Sequence, residues 1–439
     1  MKSKKLISII TAVVMVMSLA ACSSAGTSSN STESNDSVSN TTAATTDSTT
    51  DSTTDSTSDG EKTIEFWSVF TGGDGEAMQE IVDAYNATFP EYTVVHRMMA
   101  QEDLYQNLPL AVQSGTDVPD LAINHVDRLQ LNQENGIYLA MDEYINANGN
   151  ITADKYNAAA WNPGEIDGSR YAVPLDIHGY LTYYNKDLVE KYCPNVLDDN
   201  VVTFEEIAEF APAAAEDGVY SYALTWARNE FQQWYAQLGG KVTEDGTEPT
   251  IDNDIAKKVL TDWKEAVDKG WCTQDGDDPT NLFGQGQLIF IPEGTWMIGT
   301  FDSMEVNYGA TYAISYDAAN PISWASSHQF VMPKKEQTAE KGAAIMDFIA
   351  FFQKNSLPWA KVGQCPATVA IADNEEFKTM PQAFFLSDPS LTMISEYKYY
   401  GYLVDALDGF VSEVVFGRMD MDEALATYNQ QISDNIKNQ

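Results

Sequence analysis

Residues 63–75 read TIEFWSVFTGGDG and join a short alternating apolar run to a glycine-rich segment. The alternation at 63–67 predicts a β-strand, and 71–75 predicts a loop that follows a ligand closely. A helix is predicted next, because apolar residues recur at helical spacing before Pro90: Met78, Ile81, Val82, Tyr85 and Phe89. A strand at 92–95, a helix at 104–113 and a strand at 121–123 continue the alternation. This order predicts an α/β fold with a mostly parallel sheet.

The loops after the first and third strands should meet at one edge of that sheet. Ligands on such sheets bind outside the carboxyl ends of the strands. Residues 67–74 follow the first strand, and Asn124 and His125 follow the third. Further along the chain, strands are predicted at 171–175 and 180–184, and helices at 255–267, 343–352 and 421–432. Thr203 and Glu206 have the spacing of a capping box that opens a helix.

The N-terminus has the pattern of an export signal. Three lysines precede an apolar run at residues 6–20, which is too short to span a bilayer comfortably. The run ends in Leu19-Ala20-Ala21-Cys22, which resembles the lipobox of bacterial lipoproteins. The resemblance implies a signal peptide at 1–21 and a lipid on Cys22. The alternative is an ordinary signal peptide followed by an incidental cysteine.

A polar spacer follows Cys22. Residues 23–61 are nearly all Ser, Thr, Asn, Asp, Ala and Gly, with Val38 as the one large aliphatic residue. Such a segment buries too little apolar surface to offset its ordering entropy, so residues 22–61 are predicted to form a lipidated, disordered linker. An O-glycosylated stalk has the same composition. We expect a protein anchored to the outer face of the cytoplasmic membrane, as in a Gram-positive bacterium.

Charge and cysteine content narrow the functional classes. The net charge of −40 argues against binding nucleic acid or an anionic bilayer through the protein surface, so the lipid would be the sole membrane contact. Beyond Cys22, the remaining cysteines are Cys193, Cys272 and Cys365. They form no metal-binding pattern and allow at most one disulfide, and three buried thiols are the alternative.

The order of the segments through residues 62–435 resembles the extracellular solute-binding proteins of ABC importers, in the sugar-binding family that includes maltose-binding protein. The matching segments are 64–67, 85–90, 115–121, 168–175, 183–188, the Thr203 box, 283–286, 294–296, 343–352 and 417–424. The resemblance implies a periplasmic-binding-protein-like clamp of two α/β lobes that closes on its ligand. Crossings between lobes are implied near 174–180, 328–331 and 371–377. Lobe one would comprise 62–174 and 331–371, and lobe two 175–328 and 376–439.

A site for a neutral sugar needs aromatic faces together with carboxylates, amides and arginine. The predicted ligand-binding residues are Trp67, Asp74, Asn124, His125, Asp127, Arg128, Asp176, His178, Tyr180, Trp226, Arg228, Glu230, Trp296, Trp324, His328 and Tyr400. Trp296 is favoured because the resembled family places the tryptophan of this Gly-x-Trp segment in its cleft. The alternative role for each tryptophan is packing in the core instead of contact with the ligand. Core packing is the expected role of Trp234, Trp263, Trp271 and Trp359.

No cofactor or metal ion is expected. His125, His178 and His328 all fall at predicted cleft edges, but they come from distant segments without the spacing of a zinc motif. The loop at 72–75 lacks the Lys-Ser/Thr of a phosphate-binding loop, and Asp74 argues mildly against a phosphorylated ligand.

The sequence is compatible with three functions. The first is a monomeric, non-enzymatic protein that captures a carbohydrate, in particular an oligosaccharide, and delivers it to the transmembrane subunits of an ABC permease. The second keeps the clamp but binds a peptide, polyamine or metal chelate. The third is a secreted glycoside hydrolase with two carboxylates. Carboxylate pairs are guaranteed among 65 acidic residues and therefore decide nothing.

Overall fold

The computed structural model describes residues 62–387 and 391–438. The predicted signal peptide, Cys22 and the spacer lie outside the described residues. None of the helices within the described residues has the length and apolar composition that a membrane crossing requires.

The described chain alternates strands with helices throughout. The strands are β1 (Thr63–Ser68), β2 (Thr93–Met98), β3 (Leu121–His125), β4 (Glu165–Ile166), β5 (Ser169–Arg170), β6 (Ala172–Pro174), β7 (Asp176–Asn185), β8 (Tyr220–Tyr222), β9 (Leu288–Gly294), β10 (Tyr308–Thr311), β11 (Ser323–Ser326), β12 (His328–Val331), β13 (Cys365–Pro366) and β14 (Thr392–Ile394). The helices are α1 (Gly73–Asn86), α2 (Gln101–Ser114), α3 (Leu129–Glu134), α4 (Asp142–Asn148), α5 (Ala158–Trp161), α6 (Lys186–Tyr192), α7 (Phe204–Glu216), α8 (Ala227–Gln237), α9 (Asp254–Asp268), α10 (Pro279–Gly284), α11 (Ile298–Asp302), α12 (Ala339–Lys354), α13 (Leu357–Lys361), α14 (Phe384–Ser387), α15 (Tyr400–Val415) and α16 (Met421–Lys437).

The first sheet has the order β2-β1-β3-β12-β6. Strands β1, β2 and β3 are parallel, as the sequence predicts, and β12 is inserted antiparallel between β3 and β6. The carboxyl ends of β1, β2 and β3 therefore meet at one edge, which is where the parallel part of the sheet can hold a ligand.

The second sheet has the order β14-β11-β7-β9-β8, and β10 and β13 also pair with β7. Here the prediction of a mostly parallel sheet is wrong in detail, because β7 runs antiparallel to β9, β10, β11 and β13. Strand β7 is ten residues long and continues directly from β6 of the first sheet, and each of these four partners pairs with a different stretch or edge of it in the antiparallel direction.

Within the described residues the chain passes between the two sheets three times, from β6 to β7, from β11 to β12 and from β12 to β13, and the first two crossings are adjacent. Leu175 separates β6 from β7, and Ser327 separates β11 from β12. The two crossings are joined, because the Leu175 amide donates to the His328 carbonyl at 2.8 Å and the Ser327 hydroxyl donates to the Asp176 carbonyl at 2.5 Å. Two side-by-side extended connections of this kind are suited to hinge motion.

Local sequence signals explain the start of two helices. The capping box is present, with Thr203 Oγ1 accepting from the Glu206 amide at 3.2 Å and Glu206 Oε2 accepting from the Thr203 amide at 2.9 Å. Helix α1 begins inside the predicted loop, at Gly73. A side chain at Gly75 would lie 2.4 Å from the Phe70 carbonyl oxygen, so this close turn requires glycine.

The end of α1 differs from the prediction. Met78, Ile81, Val82 and Tyr85 are buried as expected, but the helix ends at Asn86 and Phe89 is 92% exposed with φ of +55°. The residue before a proline is disfavoured in the helical region, so the chain leaves the helix before Pro90.

Large aromatic residues fill the core of the folded chain. Trp234, Trp263 and Trp359 are fully buried, as the helical pattern predicts. Cys193, Cys272 and Cys365 are buried free thiols. Of the two alternatives left open by the sequence, the structure therefore has three thiols and no disulfide among these residues.

Candidate ligand-binding cleft

A cleft of about 590 Å³ is lined by residues from both sheets. The first sheet contributes the loop after β1, the start of α2 after β2, and the end of β3. The second sheet contributes β7, β11, the start of α8 and the turn after β9. The volume lies within the usual range for small-molecule sites in proteins.

Eleven of the sixteen sequence-predicted site residues line this cleft. They are Asp74, His125, Asp127, Arg128, His178, Trp226, Arg228, Trp296, Trp324, His328 and Tyr400. The convergence follows from the topology, because the segments after parallel strands meet at one edge and the crossings bring β7 and β12 beside it.

Trp67 and Asn124 are corrections to the predicted site. Trp67 is buried in a core cluster with Leu104 and Leu108, and its indole N–H donates to Glu65 Oε1 at 2.9 Å. Asn124 is buried, donates to the Tyr138 hydroxyl and accepts from the His125 amide at 2.9 Å. Successive strand residues face opposite sides, which turns Trp67 into the core.

Tyr180 and Glu230 are also corrections, because both are fully buried behind the cleft wall. The Tyr180 ring centroid lies 6.0 Å from that of Trp296 and 5.7 Å from that of Trp324, so Tyr180 supports both tryptophans. Glu230 Oε2 accepts from the Thr225 amide at 3.1 Å. Burial raises the pKa of Glu230 well above its ordinary value.

Asp176 is the fifth correction, since it is fully buried and lies outside the cleft lining. Its carboxylate accepts from His178 Nδ1 at 3.1 Å, His328 Nδ1 at 2.8 Å, the His328 amide at 3.0 Å and the Trp359 indole at 2.9 Å. Burial by itself would raise the pKa of Asp176, but His328 and the hydrogen bonds from both imidazoles outweigh it and hold the pKa well below its usual range. Asp176 therefore acts as a buried anion that orients two cleft histidines.

His125, His178 and His328 form a compact cluster at the cleft floor. Their ring centroids are 4.2 Å apart for His178 and His328, 4.5 Å for His125 and His328, and 5.4 Å for His125 and His178. Burial lowers the pKa of His178 to about 4, helped by His328 and opposed by Asp176. Burial, together with His328 and His178, lowers the pKa of His125 well below its ordinary value. These two imidazoles are therefore neutral at pH 7.

The cleft carries more negative than positive side chains. Asp74, Asp127, Glu102 and Asp408 line it, against Arg128 and Arg228. Arg228 donates to Asp408 Oδ2 at 2.7 Å. Burial raises the pKa of Asp127, and it also raises that of Asp74 against the opposing effect of His328. A neutral, hydroxyl-rich ligand is compatible with this mixture of acceptors and paired donors.

A family model described as "Bacterial extracellular solute-binding protein" matches residues 80–385. The chain belongs to this family. The match begins within α1 and ends before β14, so β1 and β14 lie outside it, and it includes the other strands of both sheets and the crossings between them.

A relative in Streptococcus pneumoniae and two solved structures give further comparisons. The relative is a maltooligosaccharide ABC transporter solute-binding lipoprotein of that organism. This solute-binding protein is 24% identical to it over 350 residues, which cover 75% of this chain and 79% of the relative. Its fold matches an ABC substrate-binding protein from Listeria monocytogenes in complex with cycloalternan, with a TM-score of 0.72, 20% identity and coverage of 86% and 100% of the two chains. It also matches UgpB from Mycobacterium tuberculosis in complex with glycerophosphocholine, with a TM-score of 0.73, 19% identity and coverage of 86% and 99%. The predicted two-lobed α/β clamp and the predicted family are thereby confirmed.

The cleft of this solute-binding protein includes residues that sequence reasoning missed. Glu102 and Tyr105 lie at the start of α2, directly after β2, so the same edge rule applied to the second strand would have found them. Gln364 and Asp408 lie far along the chain in segments without a local signal of a binding site. The Gln364 Oε1 atom is buried without a hydrogen-bond partner among the described residues.

Glu293, which supports the cleft wall, gives a prediction for pH dependence. Its carboxylate accepts from the Trp226 indole at 3.2 Å, and burial raises its pKa from 4.5 to about 7. The folded protein therefore holds this proton more tightly than the unfolded chain, and stability contributed by Glu293 is lost as pH rises from about 4.5 through 7. Glu293→Gln stays neutral, so it should gain about 2–3 kcal/mol of unfolding free energy relative to the unmodified protein between pH 5 and pH 8.

Urea denaturation at both pH values measures this difference. The exposed Glu209→Gln is the matched control and should show no such pH-dependent gain. A Glu293→Gln difference that is constant with pH would contradict the raised pKa.

Proposed function

We propose that this protein is the extracellular receptor of an ABC importer and that its cargo is a carbohydrate, in particular an oligosaccharide. The observation that carries the proposal is that the two sheets contribute different kinds of side chain to the cleft. Trp226, Trp296 and Trp324 come from the second sheet, and Asp74 and the 125–128 segment with its carboxylate and arginine come from the first. Stacking faces opposite polar groups suit a sugar ring, which offers an apolar face and a rim of hydroxyls. The maltooligosaccharide relative supports the same class of cargo.

The proposed ligand-binding residues are the eleven predicted residues that line the cleft, together with Glu102, Tyr105, Gln364 and Asp408. We propose that the protein binds without turnover, as a monomer, and presents its closed form to the transmembrane subunits of the permease. The lobes are proposed to be 62–174 with 331–371 and 175–328 with 376–439, which close about the crossings at Leu175 and Ser327.

A phosphodiester is the second candidate cargo, because Arg128 and Arg228 both reach the cleft and one similar structure holds glycerophosphocholine. Two observations favour the sugar. Arg228 is paired with Asp408, and the Arg128 guanidinium lies over the Tyr105 ring at 4.2 Å. The four acidic side chains in the cleft also repel a phosphate.

Calorimetric titration of the protein tests the cargo. The ligands are malto-, arabino- and manno-oligosaccharides, glycerophosphocholine, a tripeptide and spermidine. We expect micromolar or tighter binding of one oligosaccharide class, a smaller radius of gyration by X-ray scattering at saturation, and no sugar cleavage. Binding of glycerophosphocholine alone would overturn the carbohydrate assignment, and cleavage of the sugar would support a hydrolase. An unchanged radius at saturation would contradict closure.

We also propose that Cys22 carries the lipid that holds the protein at the outer face of the cytoplasmic membrane, with residues 23–61 as a flexible spacer. Cys22→Ser should move the protein from the membrane fraction to the medium, because two or more acyl chains are needed for stable anchoring. Cys193→Ser, which alters a buried thiol, is the control and should leave the protein in the membrane fraction. Retention of Cys22→Ser in salt-washed membranes would contradict the anchor.

A further inference from the structure

Three of the four histidines in this chain meet at one point in the cleft. One ring nitrogen from each of His125, His178 and His328 lies within 4.8 Å of the others. His125 ends β3, His178 lies in β7 and His328 begins β12, so both sheets contribute to the cluster. No metal ion is predicted here from the sequence, because the three segments are distant along the chain and lack the spacing of a zinc motif.

The second nitrogen of each ring is already engaged by a supporting group. His178 Nδ1 and His328 Nδ1 lie 3.1 and 2.8 Å from the two oxygens of Asp176, and His125 Nδ1 hydrogen-bonds to the Tyr105 hydroxyl. An ionised carboxylate accepts, so it fixes the two rings as Nδ1–H tautomers with the Nε2 lone pair free. Carboxylate or hydroxyl support of this kind is what orients imidazoles that bind metal ions.

The Nε2 atoms of the three rings have no hydrogen-bond partner within the described part of the chain. All three residues line the cleft, so these nitrogens are accessible to a ligand there.

We propose that His125, His178 and His328 bind one divalent transition-metal ion of the zinc class through their Nε2 atoms, with Asp176 and Tyr105 as supporting groups. Three imidazoles suit zinc, copper, nickel or cobalt ions far better than magnesium or calcium. Zinc–nitrogen bonds of about 2.0–2.1 Å require neighbouring nitrogens about 3.4 Å apart, so small side-chain adjustments of about 1 Å complete the site.

The fourth coordination position faces the cleft, where an oxygen of the bound solute or a water completes a tetrahedron. Because His178 belongs to the second sheet and His125 and His328 to the first, the ion joins both sheets beside the two crossings. The metal ion thereby adds a cross-link at the hinge and makes solute recognition dependent on oxygen atoms that reach it.

Titration of the full chain, without an added histidine tag, tests the site. Zinc chloride should bind at one equivalent with a Kd of about 1 µM or below, and magnesium chloride should not compete. His178→Ala and His328→Ala should each weaken zinc binding at least 100-fold, and Asp176→Asn should weaken it about 10- to 100-fold. His96→Gln, which alters the one histidine outside the cluster, is the matched control and should bind as the unmodified protein does.

A second measurement separates this site from zinc held by the acidic surface. Cobalt chloride should give the intense visible absorption of a tetrahedral imidazole complex, which carboxylates at the surface do not produce. Circular dichroism of each metal-free variant checks that it is folded. Zinc affinity that is equal in the unmodified protein and folded His178→Ala, or the absence of any saturable zinc binding, would overturn the proposal. Because no solute is present, these outcomes are independent of the cargo assignment.

Discussion

Asp176→Ala is expected to lower the free energy of unfolding by about 3–5 kcal/mol, the largest effect of any single substitution considered. The carboxylate is fully buried and accepts four hydrogen bonds, from His178, from the side chain and amide of His328, and from Trp359. Alanine leaves these donors buried without an acceptor, and each unsatisfied group costs about 1–3 kcal/mol before local relaxation. Chemical denaturation monitored by tryptophan fluorescence measures the loss.

Two further variants define the cause of that loss. Asp176→Asn keeps the side-chain shape and one acceptor oxygen, so we expect a smaller destabilisation than for alanine. Asp217→Ala removes an exposed carboxylate that pairs with Lys191 at 2.8 Å, and because solvent screens such a pair it should leave the unfolding free energy nearly unchanged. Equal stability of Asp176→Ala and Asp217→Ala would show that Asp176 does not organise the buried network.

Trp296→Ala is expected to weaken binding of the carbohydrate at least tenfold, or by about 1.4 kcal/mol, while the melting temperature of the ligand-free protein changes little. Trp296 is half-buried at the cleft, and its ring meets those of His178 and Trp226 edge-on at 5.9 and 6.2 Å. Its loss removes an aromatic contact worth about 0.5–1.5 kcal/mol beyond the apolar area that the ligand would cover. Calorimetric titration gives the affinity, and a thermal melt gives the stability.

Trp271→Ala is the matched control for this prediction. Trp271 is also a half-buried tryptophan, but it packs outside the cleft against the helical core of the second sheet. Its removal should leave the carbohydrate affinity unchanged. If Trp296→Ala instead unfolds the protein and the folded fraction binds as before, Trp296 is a core residue and the aromatic wall does not bind sugar.

The sequence alone was sufficient to predict features that depend on neighbouring residues, such as single strands and helices, and features that depend on the order of segments along the chain, such as the family. Alternation and helical spacing located β1, α1, β2 and β3, and side-chain chemistry at Thr203 and Glu206 located the start of α7. The edge rule for parallel strands then placed Asp74 and His125 at one cleft. The order of segments identified the family, which the match over residues 80–385 confirms.

The sequence could not assign the direction in which each side chain faces. Trp67 and Asp74 belong to the same strand–loop–helix segment, yet only Asp74 reaches the cleft. A strand that is buried on both faces carries apolar residues on both of them. The periodicity of the sequence therefore did not distinguish a tryptophan in the core from one that binds a ligand. Asp176, at the first implied crossing, and Glu230, in the segment with Trp226 and Arg228, were likewise predicted as ligand contacts, because a carboxylate can serve either a cleft or a buried network.

The α/β alternation, the family and the cleft edge of the first sheet follow from the sequence, because each of these is encoded by neighbouring residues or by segment order. The meeting of His125, His178 and His328, two of which hydrogen-bond to Asp176, follows from the folded arrangement and not from any sequence pattern. That arrangement depends on two crossings that lie side by side and on β12 being inserted beside β3. Contacts of this kind are set by the packing of distant segments, for which no local spacing exists in the chain.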